Sequence, residues 1–195
     1  MTRLTLPALL LLAFPAAGCS TAIVEPGHRG LLFAPGQGGL RREVLPPGKY
    51  ALGACFIACT SNRIDDFDVT YSTKAERLEV QTVEGLALDL GITVIYRPIV
   101  SELYQLDTEI GRNYYDEVIG PEVRSVCRGV LARRSYVDLR RRDVVLENEI
   151  EAELRSRIAG KHVEISAVTL ERIAFAPEVE EAIRKRVVAD ASSTP

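Results

Sequence analysis

The chain has no tryptophan, one methionine, two histidines and four cysteines in 195 residues. So thin a supply of imidazole and thiol nearly excludes a zinc centre of the usual Cys/His kind, which takes four ligands. Neither sign of charge is in large excess: 24 Lys and Arg stand against 27 Asp and Glu, a formal net charge of −3. Sequence-independent nucleic-acid binding needs a strong positive field, so no nucleic-acid partner is expected. The patterns G-x-S-x-G, H-E-x-x-H and a paired C-x-x-C are also missing. Without them no nucleophile with its base, catalytic zinc or redox dithiol is announced. The Gly36 to Gly39 cluster is followed by neither a Lys-Ser/Thr pair nor a helical pattern, so it is not a phosphate loop. Asp65-Asp66-Phe67-Asp68 lacks the glycine and distal glutamate of an EF-hand loop, and strand alternation sends Asp66 and Asp68 together to solvent. These absences favour a non-enzymatic protein with no cofactor and no metal. What is present, 47% hydrophobic and 26% charged residues, is the composition of a globular domain.

The first residues read as a leader. Arg3 is the only charge before Glu25, and Leu4 to Phe14 form an apolar run of signal-peptide length. That run is shorter than the ~20 apolar residues a membrane-spanning helix needs. Ala16-Ala17-Gly18-Cys19 then resembles the lipobox of bacterial lipoproteins, in which the cysteine is acylated and becomes the N-terminus. On this reading residues 1–18 are a lipoprotein signal peptide, Cys19 is the lipidation site, and 19–22 are a short tether. A folded domain over 23–188 and a disordered tail over 189–195 complete the chain. At about 3.5 Å per residue, such a tether holds the domain within roughly 15–20 Å of the lipid. The alternative is a secretory signal cleaved near an ordinary cysteine. By resemblance to lipoprotein sorting patterns, Ser20 points to the outer membrane, so the expected place is the cell envelope, facing the periplasm.

Three cysteines follow. Cys55 and Cys59 form a possible disulfide in an oxidising compartment, but four residues of strand span about 13 Å while bridged Cα atoms lie within about 7 Å, so the segment would have to turn. Bridge and free thiols both stay open. Cys127, in a helical pattern, reads as a small buried hydrophobe. The stretch Ala51 to Cys59 carries no charge. It is either the core of a hairpin or a membrane-contact loop that dips Phe56 and Ile57 into the lipid. Arg133 and Arg134 with Arg140, Arg141 and Arg142 flank a helix junction. They read as a solvated end paired with Asp138, Asp143 and Glu147, or as a contact for anionic lipid worth about 1 kcal/mol per basic residue. His28 in a turn and His162 before a strand read as surface residues.

Periodicity divides the remainder. Residues 22–52 are dense in turn signals and predict short strands. Leu86, Leu88, Leu90, Ile92, Val94 and Tyr96 occupy every even position of a strand, and Leu78, Val80 and Thr82 share that period across a turn at Glu84-Gly85, which predicts a hairpin. Val100 to Asp107 suits a short helix, and Asn113 is a candidate cap for Tyr114 to Ile119. Gly120-Pro121 is expected to interrupt the helix, with Pro121 opening another that carries Val123, Val126, Cys127, Val130 and Leu131. Over 137–159, Leu146, Ile150, Leu154 and Ile158 mark one buried stripe on a charged helix. Gly160 ends it, and Val163 to Phe175 returns as a strand whose parity slips between Ala167 and Val168, a bulge. Pro177 opens a last helix with glutamates in its first turn and basic residues near its end.

These local words, in this order, resemble the SPFH or Band 7 domain of stomatins, prohibitins and flotillins. Val24-Glu25-Pro26-Gly27-His28-Arg29-Gly30-Leu31 is similar to the family's opening, and Leu45-Pro46-Pro47-Gly48-Lys49-Tyr50 to its next turn. The hairpin stretch 80–98, VQTVEGLALDLGITVIYRP, is similar to the family's strand pair, while Leu103-Tyr104-Gln105-Leu106, the helix after Tyr114-Tyr115 with its Pro121, and the strand to Phe175 before a Glu/Arg helix resemble the prohibitin branch. The resemblance implies an α+β fold: an N-terminal β-rich subdomain, then an α/β subdomain with helices packed on a mostly antiparallel sheet. It implies a membrane-anchored, non-enzymatic scaffold that organises a membrane patch by lateral self-association, or else a regulator or adaptor that binds an envelope protease or membrane complex. Expected partners are therefore the lipid bilayer, further copies of the chain or a membrane protein. Ala51 to Cys59 departs from the family's word at that place. The residues after Val188 are too few for the long coiled coil of relatives, so rod-built cages are not expected.

Overall fold

The computed structural model describes residues 18–55, 61–140 and 144–192. Three antiparallel sheets are laid down in chain order. Strand β1 (Gly18–Val24) pairs with β4 (Gly48–Cys55) in a ribbon, and β2 (His28–Ala34) runs between β3 (Gly39–Leu45) and β5 (Arg63–Asp68). In the third sheet β7 (Ala87–Pro98) is the middle strand, with β6 (Ser72–Gln81) on one side and β8 (Val163–Phe175) on the other. Helices α1 (Leu103–Glu109), α2 (Gly120–Leu131), α3 (Tyr136–Arg140) and α4 (Val144–Ile158) lie between β7 and β8, and α5 (Pro177–Ser192) follows β8. This is an α+β fold, β-rich first and then helices on an antiparallel sheet.

Hydrophobic alternation decides the middle strand. Leu88, Leu90, Ile92 and Val94 are each at most 2% exposed, as a strand with one core face requires. The predicted hairpin to β6 closes through Thr82, whose N–H donates to the Leu86 carbonyl at 3.0 Å. The stripe Leu146, Ile150, Leu154 and Ile158 is buried along α4, which packs on β8 and α2. One continuous core joins these residues to Leu31 of β2 and Phe67 of β5, so the two β-rich halves share an interior. Within the N-terminal strands Gly30 is a point of close approach: a Cβ there would stand 2.5 Å from the Ile64 side chain of β5 and 2.9 Å from that of Val24 of β1. Only glycine fits that approach.

Several local expectations are corrected. Residues 19–22 are not a free tether, because the β1 backbone is paired from Gly18 onward. Asn113 offers its carbonyl to the Glu117 N–H at 3.1 Å, and the helical turn that follows has no side-chain cap. Gly120-Pro121 does not interrupt the helix. A wide i→i+5 turn over Tyr115–Ile119 runs into α2, with the Gly120 N–H bonded to the Tyr115 carbonyl. Pro121 sits in the first turn of α2, immediately after that wide turn. Residues 137–159 fall in α3 and α4, with 141–143 outside the described residues. Ser135 starts α3 reciprocally: its Oγ accepts the Asp138 N–H, and Asp138 Oδ2 accepts the Ser135 N–H, both at 3.2 Å. In β8 the expected slip occurs slightly earlier, at Ser166, and a second bulge lies at Glu171. Helix α5 extends to Ser192, past the expected boundary at 188.

Candidate functional site

The register of the β1–β4 ribbon brings two predicted features to one end. Gly18 faces Cys55 and Cys19 faces Ala54, so the expected acylation point lies beside the place where the uncharged 51–59 stretch leaves its strand. Antiparallel pairing produces this juxtaposition, since the first residues of β1 must meet the last residues of β4. Further along β1, Ile23 is 66% exposed. On the β4 side the Asn62 amide donates to the Leu52 carbonyl at 2.8 Å and fixes the returning chain. Phe56, Ile57 and Cys59 lie outside the described residues, and with them the Cys55–Cys59 pairing.

Two arginines of the basic cluster, Arg133 and Arg134, are engaged with acids of α4. Arg133 reaches Glu149 and Glu153 at 3.4 and 3.3 Å, and Arg134 pairs with Glu149. Asp138 is occupied at the start of α3, while Glu147 accepts the Leu170 N–H. Arg140 closes α3; Arg141, Arg142 and Asp143 lie outside the described residues. Both histidines hold carboxylates. His28 Nδ1 is 2.6 Å from Asp66, and His162, at φ 63°, lies between Glu102 (2.8 Å from Nδ1) and Glu109 (3.1 Å from Nε2). Sequence spacing carries no trace of these pairs, because the partners stand 38 to 60 residues apart. Asp66 and Asp68 are exposed as expected, whereas Asp65 is 3% exposed and forked by Arg63 at 3.0 and 3.2 Å. Arg63 in turn lies over the Phe33 ring, 4.0 Å from its centroid. A shallow cleft of about 370 Å³ there is closed by Asp107 and Arg112. Burial raises the Asp107 carboxyl above its ordinary range and Asp65 adds to the rise, while Arg112 and Arg63 oppose it.

The pattern of the SPFH domain / Band 7 family matches residues 22–193. The chain belongs to that family. The Band 7 chain is similar to mitochondrial prohibitin-1 of Arabidopsis thaliana, 24% identical over 170 residues that cover 85% of this chain and 56% of the relative. Mitochondrial prohibitin-7 of the same plant is 24% identical over 172 residues (88% and 60%), and prohibitin-1 of Saccharomyces cerevisiae 21% over 166 (85% and 56%). The Band 7 chain thus spans a little over half the length of these curated relatives.

Burial sets the protonation of one thiol and two phenols in this Band 7 domain. Burial pushes the Cys127 thiol up to about 12, so it stays protonated as a small core side chain. Burial likewise raises Tyr114 to about 12 and moves Tyr115 further still, the Tyr115 hydroxyl donating to Glu76 at 2.9 Å. Tyr115 also lies 4.9 Å from the Tyr96 ring, and Arg124 stands 3.7 Å from Glu76. This cluster fastens the i→i+5 turn to β6 and β7. Among the described residues no group of three or more His, Cys, Asp or Glu is arranged to hold a metal ion. Among the same residues no helix is long and apolar enough to cross a membrane.

Proposed function

We propose that this Band 7 chain is a non-enzymatic protein of a membrane surface, anchored by acylation at Cys19, that organises a membrane patch by lateral self-association. The observation that carries this reading is the β1–β4 register. It sets Cys19 next to the exit of an uncharged stretch containing Phe56 and Ile57, so that lipid anchor and apolar loop would enter the bilayer side by side. Each methylene of an acyl chain contributes about 0.8 kcal/mol when buried, and a loop dipping in beside it would fix the domain's orientation. Family membership supports a scaffold-like role at a membrane. The outer membrane, facing the periplasm, is the location this reading favours, on the strength of Ser20.

The test is mass analysis of the processed N-terminus together with fractionation of the Cys19→Ser variant. An acylated Cys19 and a variant that leaves the membrane fraction are expected; an unmodified, freely soluble wild-type protein refutes the proposal. A Phe56→Asp, Ile57→Asp double variant that folds and still quenches against acyl-chain probes like the wild type removes the loop from it. A second reading, a regulator of one envelope protease or membrane complex, is favoured by α5, whose residues 180–182, 184 and 185 are all exposed. Recovery of one stoichiometric partner with the acylated protein supports that reading over self-association.

A further inference from the structure

The third sheet has two outer edges, and the chain treats them differently. Along β8 the edge is closed by α4. Glu147 accepts the Leu170 N–H at 2.8 Å and Glu151 the Val168 N–H at 3.1 Å, while Arg155 donates to the carbonyls of Ile165 and Ser166 at 3.0 and 2.7 Å. Side chains thus satisfy outward peptide groups that would otherwise template another strand. Along β6, among the described residues, no hydrogen bond reaches the outer edge between Ser72 and Gln81. The first closure comes beyond the strand, where the Val83 N–H bonds the Arg134 carbonyl at 3.0 Å. Thr73, Lys74 and Ala75 are exposed in succession, as on a strand with nothing beside it.

Charge indicates what fits that edge. Glu79 lies directly across from Asp89 of β7, both exposed, and like charges facing each other in a sheet repel. Among the described residues neither has a basic partner, and Arg77, two residues away and exposed, has no acidic one. We propose that the outer edge of β6 is the surface through which two copies of this chain join, strand to strand and antiparallel, into one continuous sheet. This rests on the self-association reading above and names its surface. A two-fold axis normal to the sheet keeps every residue on its own face, so paired positions must have an even sum. Centring on Glu76 or Arg77 sets like charges opposite each other. Centring on Leu78 sets Arg77 of each copy opposite Glu79 of the other, beside the Glu79–Asp89 pair that lacks a cation, and Ala75 opposite Gln81. Centring on Ala75 would call on Glu76, which Tyr115 and Arg124 already hold.

The experiment uses the full processed chain in lipid vesicles and in detergent, with association read by sedimentation and cross-linking. Both side chains are exposed, so circular dichroism of the variants matches the wild type, and Glu79→Arg, which sets a cation opposite Asp89, melts no lower than it. Arg77→Glu alone and Glu79→Arg alone each weaken association by about tenfold or more, because every cross-strand pair turns from attraction to repulsion. The double swap Arg77→Glu, Glu79→Arg restores it. Mixed together, the two single variants associate with each other although neither does so alone. If wild type and single variants associate equally, the β6 edge is refuted while self-association through another surface survives. If the wild-type chain is monomeric on vesicles, both readings fall.

Discussion

The closure of β8 by α4 makes a quantitative prediction. Glu147 and Glu151 are charged acceptors for two partly buried peptide N–H groups, at 2.8 and 3.1 Å. A hydrogen bond to a charged group contributes about 1.5–3 kcal/mol. Water takes over part of each bond at these partly exposed positions, so Glu147→Ala is expected to cost about 1–2 kcal/mol. Alanine's better helix propensity returns a few tenths of that. Glu147→Gln keeps the acceptor oxygen and loses the charge, so roughly half the loss remains. Glu151→Ala removes in addition an i,i+4 ion pair to Arg155 at 2.7 Å, worth about 0.3–0.5 kcal/mol. Against a total stability of about 5–15 kcal/mol these are clear shifts of a urea midpoint. Hydrogen exchange resolved by residue is the sharper assay. Glu147→Ala accelerates exchange at Leu170 and leaves Val168 protected, whereas Glu151→Ala does the reverse. Uniform acceleration along β8, or none at either amide, refutes the reasoning that these two carboxylates cap that edge.

Further outcomes follow from the same geometry. At His162 burial acts to lower the imidazole pKa, but the hydrogen bonds to Glu102 and Glu109 outweigh it, and the net shift is upward from 6.5. A raised native value stabilises the fold below the unfolded value and is lost as pH rises through the native one. His162→Asn, which tolerates the positive φ, therefore loses most stability at mildly acid pH and approaches the wild type above neutrality. An NMR titration midpoint at or below 6.5 contradicts this. Cys127, fully buried with its thiol raised to about 12, resists thiol reagents until the protein unfolds. Cys127→Ser buries a hydroxyl and costs about 1–3 kcal/mol in chemical denaturation; rapid labelling of the native thiol would count against its burial. Ile150, 0% exposed at the middle of the α4 stripe, costs about 2–5 kcal/mol when cut to alanine, and a loss under 1 kcal/mol would show that α4 is not seated on β8.

Legibility in the sequence tracked the range of the interaction. The alternation from Leu88 to Tyr96 and the four-residue spacing from Leu146 to Ile158 are local signals, and the structure buries those residues on one face each. Strand β1 escaped notice because Cys19 to Ala22 are small and unpatterned, and only the distant register with Gly48–Cys55 makes them a strand. Proline chemistry correctly placed Pro121 at a helix start, yet hid the continuity before it, since residue preferences do not encode an i→i+5 turn. On α4, Glu147, Glu151 and Arg155 looked like an ordinary solvated face. Their work on the β8 backbone appears only when sequence separations of 10 to 23 residues are closed in space. The candidate membrane end was legible as two separate words, Cys19 and the 51–59 stretch, but their adjacency was not.

The wide turn at Tyr115–Ile119 contains one residue more than a regular α-helical turn would. Deleting a residue there would let the backbone close in the ordinary way, and would change the direction in which the side chains of the turn itself leave the backbone. Tyr115 would then swing off the Tyr96 ring and lose its hold on Glu76. The length of this segment is set by the aim of a phenol, so a change of one residue there would announce itself first as a misdirected ring at the sheet, with the helix itself intact.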